Sequence, residues 1–108
     1  MESKPMIPIM IQGIVPKRGK FDKFVFWASH IDWGDKSEFI LETSRTFLYR
    51  KRFALIKGCK ITCGDKSYVV TLIVPDKFGP PDCYAQEIAP NQEDIEELKI
   101  LSTRLARI

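Results

Sequence analysis

The apolar positions fall into short runs broken by turn residues, the spacing of strands, until the last eighteen residues, where they recur every three or four positions. Residues 6–15 form the first run. Pro8 lacks a ladder donor and assigns its first half to a sheet edge, and Gly13 marks a bulge or sharp bend. After a polar turn at 16–20, residues 23–31 alternate. Phe24, Phe26 and Ala28 lie on one face and Val25, Trp27 and Ile31 on the other. Residues 32–35 are a hairpin turn. A third strand over 37–43 sets Phe39 and Leu41 against Glu38, Ile40 and Glu42. Residues 59–63 and 67–74 pair as a hairpin around Gly64, Asp65 and Lys66, with glycine first in the turn. The stretch 68–74 is apolar on both parities, which predicts a central strand.

Two segments resist a single period. Over 44–57, Ser44 or Thr46 is suited to cap a helix and Gly58 to end it, while 47–52 also permits strand alternation; the helix is the preferred reading. From 75 to 90 the chain carries four prolines and one glycine, which predicts a connection extended over the surface, with a weak edge strand at 83–88. The last segment is a helix over 91–108. Asn91 is its N-cap, acids crowd its first turns, Arg104 and Arg107 close it, and Ile95, Leu98, Leu101, Leu105 and Ile108 form its apolar stripe.

The expected fold is therefore mainly β with some α. It is one domain over 1–108, with a five-stranded antiparallel barrel at 6–74, the proline-rich connection at 75–90 and the terminal helix. The order of three strands, a helix and two strands resembles an OB barrel. In that resemblance Gly13 supplies the glycine bend of the first strand, and residues 53–61 enter the fourth with a glycine before an alternating run. An SH3-like barrel, which dispenses with a helix at 44–57, is the alternative. Closure is favoured because five short strands would otherwise leave exposed edges.

Composition supports one compact domain: 108 residues, 44% hydrophobic, 29% charged and net +3. The longest apolar runs are far short of the roughly 20 residues of a membrane helix, and the start of the chain lacks the pattern of a signal peptide. A cytoplasmic location is expected, with no membrane partner. The distribution of charge says more than its total. Residues 45–66 hold seven basic residues against Asp65, a net +6, and residues 17–23 add Lys17, Arg18, Lys20 and Lys23 against Asp22. Aromatics are interleaved with this charge. Cations for phosphates and rings for bases are the ingredients of single-strand binding. The expected function is thus non-enzymatic binding of single-stranded nucleic acid. Lys17, Arg18, Lys20, Arg50, Lys51 and Arg52 track phosphates, and Trp27, Trp33 and Tyr49 stack. The alternative is a protein-interaction module or homo-oligomeric subunit that uses the stripe Ile95, Leu98, Leu101, Leu105 and Ile108 together with the outer β face.

Other chemistry is poorly supported. His30 is the single histidine; two residues from Asp32, it is placed to pair with it in a structural role. Cys59, Cys63 and Cys83 lack zinc-like spacing and read as buried apolar residues. Gly13, Gly19 and Lys20 miss the spacing of a phosphate loop. No catalytic residue, metal or cofactor is expected.

Overall fold

A computed structural model describes residues 6–15, 20–41, 56–75 and 82–106, with backbone alone for 14–15, 20–22 and 104–106. Six strands and one helix follow in order: β1 (Ile7–Val15), β2 (Lys20–Asp32), β3 (Ser37–Leu41), β4 (Lys60–Cys63), β5 (Lys66–Val74), β6 (Asp82–Ile88) and α1 (Gln92–Ala106). The strands close into a barrel in the order β1-β2-β3-β6-β5-β4, and every neighbouring pair is antiparallel. Among the described residues no helix is long and apolar enough to cross a membrane.

The interior is the face that the alternation marks. Ile9, Ile11, Phe24, Phe26, Ala28, Phe39, Leu41, Ile61, Tyr68, Val70, Cys83 and Ala85 pack as one buried cluster. Strand closure removes these inward side chains from water, with Ile7 and Ile73 packed partly buried against them.

Three expectations are corrected. The barrel has six strands, so neither five-stranded reading holds, and the partly open five-stranded OB arrangement does not describe it. The sixth strand comes from the proline-rich stretch. Asp82–Ile88 is not an edge over the surface but a staple between β3 and β5, with Cys83 and Ala85 wholly buried. Its alternation is weak because Cys and Ala are small and its outward residues are mixed. Gly13 carries no bulge: β1 pairs with β2 without a break from Ile7↔Ala28 to Val15↔Lys20. The irregularity lies instead at Thr71, where the β5–β6 register shifts between Val70 and Leu72. One extra residue reverses the side-chain parity. Tyr68 and Val70 point inward, then Ile73 does, and Leu72 and Val74 are turned outward.

Other expectations hold. Pro8 lies where β1 pairs with β2 alone, since the β1–β4 ladder covers only Met10–Gln12. β5 is central, paired on both sides. Gly64 opens the β4–β5 turn at φ 60°, and Gly58 (φ 97°) donates its N–H to Val70 O at 2.8 Å as the chain enters β4. Of the helix sought over 44–57, residues 44–55 lie outside the described residues; Ile56 and the turn at Lys57 and Gly58 are not helical.

α1 begins where its cap predicted. Asn91 Oδ1 accepts the Asp94 N–H at 3.2 Å, Asn91 O accepts the Ile95 N–H at 3.0 Å, and the Asn91 N–H donates to Ser67 Oγ at 3.0 Å. The helix packs on β1 and β4. There Ile95 and Leu98 are buried, as are Met10 and Thr62, cross-strand partners on the outer face of those strands. The apolar stripe thus covers its own barrel at Ile95 and Leu98. Leu101 is half-buried, and the Leu105 side chain and Ile108 lie outside the described residues.

Candidate functional site

Strict alternation of strand direction sorts the connections by end. β1, β3 and β5 run one way and β2, β4 and β6 the other. The strand ends flanking 16–19, 42–55 and 76–81 therefore emerge at one rim, called here the distal rim. The turns at 33–36 and 64–65, and the passage from β6 to α1, belong to the opposite, proximal rim. Lys17, Arg18, Tyr49, Arg50, Lys51 and Arg52 lie outside the described residues, and of Lys20 only the backbone, the first position of β2, is described. The described cations nearest that rim are Lys57 and Lys60, both exposed at the approach to β4. Trp33 sits in the turn at the proximal rim, and Trp27 is half-buried on the outer wall. The two tryptophans thus stand apart from each other, one in the proximal turn and one on the outer wall.

Lys23, counted in the first basic stretch, is committed elsewhere. Its ammonium lies 2.9 Å from Asp94 Oδ1 and 2.8 Å from Glu97 Oε2, tying β2 to the first turns of α1. Hydrogen bonds to Glu97 and then to Asp94 hold it protonated well above its ordinary range, against the opposing effect of burial. Lys23→Met is expected to destabilise the fold by about 1 kcal/mol at neutral pH, because Asp94 is left largely buried beside only the helix N-terminus. A lysine whose folded value is raised contributes stability in full below its ordinary value of 10.5 and loses it as pH rises through the raised value. Urea denaturation of both proteins at neutral pH and above 10.5 checks this, with the two curves converging at the higher pH.

At the proximal rim a polar network closes the barrel. His30 Nε2 is 2.9 Å from Ser37 Oγ, and the Tyr68 hydroxyl is also hydrogen-bonded to Ser37. The imidazole stacks on Phe39 (centroids 4.7 Å apart, planes 9° apart) and meets Tyr68 edge-on at 5.8 Å. Ser37 is thus a partner of His30 that the spacing did not indicate, and Asp32 Oδ1 accepts the Gly34 N–H at 2.8 Å within the turn. Ser37 is 6% exposed. A hydroxyl so covered satisfies the rim's polar groups rather than meeting a ligand.

The three cysteines are buried and free. Burial pushes the Cys63 thiol up to about 11 and the Cys83 thiol to about 12, and raises Cys59 as well. They are held as neutral thiols, the unreactive form. Among the described residues no three His, Cys, Asp or Glu side chains gather as metal ligands.

The outer wall carries a feature that sequence reasoning missed. Register places Ile31, Glu38, Tyr84 and Leu72 side by side across β2, β3, β6 and β5. Glu38 is 7% exposed although it faces outward; its Oε1 accepts the Trp33 Nε1–H at 3.0 Å, and its carboxylate also accepts the Tyr84 hydroxyl. The Lys36 ammonium lies 5.3 Å from the Tyr84 ring centroid. Trp33 (58% exposed), Leu72 (54%) and Val74 (42%) surround this centre with apolar surface. Nothing in the alternation exposes this patch, because it depends on the parity change at Thr71 and on a sixth strand. An open groove of about 460 Å³ also lies between α1 and the barrel, floored by Ile7, Pro8, Cys63 and Leu98 and rimmed by Lys99 and Thr103.

Comparison with protein-family models, curated proteins and solved structures finds no match to this chain.

Proposed function

We propose that the chain is a non-enzymatic binding domain that takes single-stranded nucleic acid at its distal rim. The observation that supports this is the sorting of charge by barrel end. The strand ends that flank the segments carrying Lys17, Arg18 and Arg45 to Arg52 emerge at the distal rim, and Lys57 and Lys60 are exposed at the same end. Asp32, Asp35, Glu38, Asp65 and Glu87 belong to the proximal rim and outnumber Lys36 and Lys66 there, while Asp82 is the described acid at the distal end. Such a separation produces a field that attracts a polyanion to one end and orients it away from the other. In this reading Arg50, Lys51 and Arg52 meet phosphates and Tyr49 stacks a base. Trp33 takes no part, because it stands among acids at the opposite end. The alternative of oligomerisation through the helix stripe is weakened, since Ile95 and Leu98 are already covered by β1 and β4.

The test is fluorescence anisotropy with a labelled twelve-nucleotide single strand. If about four phosphates are neutralised, raising salt from 50 to 200 mM should weaken binding roughly fifty-fold. Lys57→Glu with Lys60→Glu should weaken it further at low salt, and Trp33→Ala should leave it unchanged. Absence of binding at low salt, or binding indifferent to salt, rejects the reading.

A further inference from the structure

We propose that the acidic, aromatic wall formed by β3, β6 and β5 docks a basic peptide segment of a partner protein, whose arginine or lysine enters the position that Lys36 now fills over the Tyr84 ring. Three observations meet there. First, the Glu38 carboxylate is buried on the outer face and holds both Trp33 and Tyr84, so a negative charge is fixed between two aromatic groups. A desolvated carboxylate beside ring faces suits an ammonium or guanidinium better than any neutral group. Second, the molecule already places a cation on this ring, the Lys36 ammonium at 5.3 Å. This side chain is an internal stand-in for a ligand of the same chemistry. Third, the surroundings are apolar and acidic together. Leu72 lies directly across from Tyr84, and Val74 across from Asp82. Leu72 and Val74 are exposed, large and contiguous, the surface expected of a docking face rather than of a solvated wall.

Charge complementarity selects the occupant. Around Tyr84 the charged groups are Glu38, Asp82 and Lys36. A phosphate chain is repelled here, whereas a peptide that alternates cationic and aliphatic side chains satisfies both the carboxylate and the exposed Leu72. The centre of this surface, Glu38 with Trp33 and Lys36, belongs to the proximal rim, and only Val74 and Asp82 reach the distal ends of β5 and β6, so the surface stands whether or not the distal rim binds nucleic acid.

The experiment is an NMR titration of the ¹⁵N-labelled full chain with a blocked hexapeptide of alternating leucine and arginine, against one of alternating leucine and glutamate. The arginine peptide should move the Trp33 indole N–H and the amides of Glu38, Leu72 and Tyr84, and saturate; the glutamate peptide should not. Glu38→Gln keeps an acceptor for Trp33 but removes the charge, and should weaken binding about tenfold. Lys36→Ala removes the internal competitor and should tighten binding about two- to fivefold. That gain is not produced by a residue with a merely structural role. The spectra themselves report whether each variant is folded, and if Glu38→Gln is not, Lys36→Ala decides. The proposal is overturned if no resonance of this wall moves, if the glutamate peptide binds equally, or if Lys36→Ala fails to tighten binding. Displacement of the peptide by an oligonucleotide, or self-association that moves the same resonances without peptide, overturns it too.

Discussion

Phe39→Ala is expected to destabilise the barrel by about 3–5 kcal/mol, as deletions of fully buried aromatic rings do. Phe39 has no exposed surface. Its ring stacks on His30 and meets Tyr68 edge-on, with centroids 5.3 Å and planes 71° apart. The substitution therefore opens a cavity and removes the surface that positions two further rings. Those rings carry the groups bonded to Ser37, so the polar closure of the proximal rim loosens with the core. Against a total of about 5–15 kcal/mol for a domain of this size, the loss is a large fraction of the stability. Guanidinium denaturation followed by fluorescence checks it. A cost below about 1 kcal/mol would mean that the site collapses freely and that Phe39 is not the pivot of this end. Trp33→Ala is the contrast: a side chain 58% exposed with one hydrogen bond should cost about 1 kcal/mol or less.

The residues that read easily were those whose faces differ. Phe24, Phe26 and Ala28 alternate with half-exposed neighbours, and Phe39 and Leu41 with Glu38 and Ile40; each pattern translated directly into an inward and an outward face. Asn91 announced the helix because an N-cap followed by acids has a local physical cause. Three features were not legible. The sixth strand has small inward residues, Cys83 and Ala85, whose signal is weak beside four prolines. The parity change at Thr71 falls within a run apolar on both faces, where alternation carries no information. The placement of charge by end required the strand order, because direction is a property of pairing and not of composition.

The candidate sites divide in the same way. The basic clusters were visible as composition, and that their flanking strand ends emerge at one rim follows from topology. Trp33 was visible as an aromatic residue in a turn, yet the Glu38 that holds it also holds Tyr84, 46 positions further on in β6, and only the register brings these two together. His30 was assigned a neighbour two residues away because strand parity allows it. The structure shows a further partner seven positions away, the Ser37 hydroxyl, while Asp32 also accepts from the backbone of its own turn.

Leu98→Glu separates the two uses of the terminal helix. If its stripe joined two copies of the chain, the substitution would lower the mass in solution and leave each barrel intact. The structure predicts the reverse. Leu98 is 4% exposed on the face of α1 that packs on β1 and β4, next to Ile95 at 2%, above Met10 at 2%. A carboxylate at this 4%-exposed position has no assigned partner, since Lys23 is already held by Asp94 and Glu97; keeping it buried costs several kcal/mol, so the helix leaves the barrel instead. Undocking returns Met10, Ile95 and Leu98 to water at roughly 1.5–3 kcal/mol per fully buried side chain, and it removes Asp94 and Glu97 from Lys23. The expected loss is about 3–5 kcal/mol by chemical denaturation, with reduced helix signal in circular dichroism and no change in the mass by light scattering. Ile100→Glu, on the opposite, 56%-exposed side of the same helix, should stay within about 0.5 kcal/mol. Equal small effects at both positions would mean that α1 does not hold to the barrel in solution, and its apolar stripe would then be free for a partner.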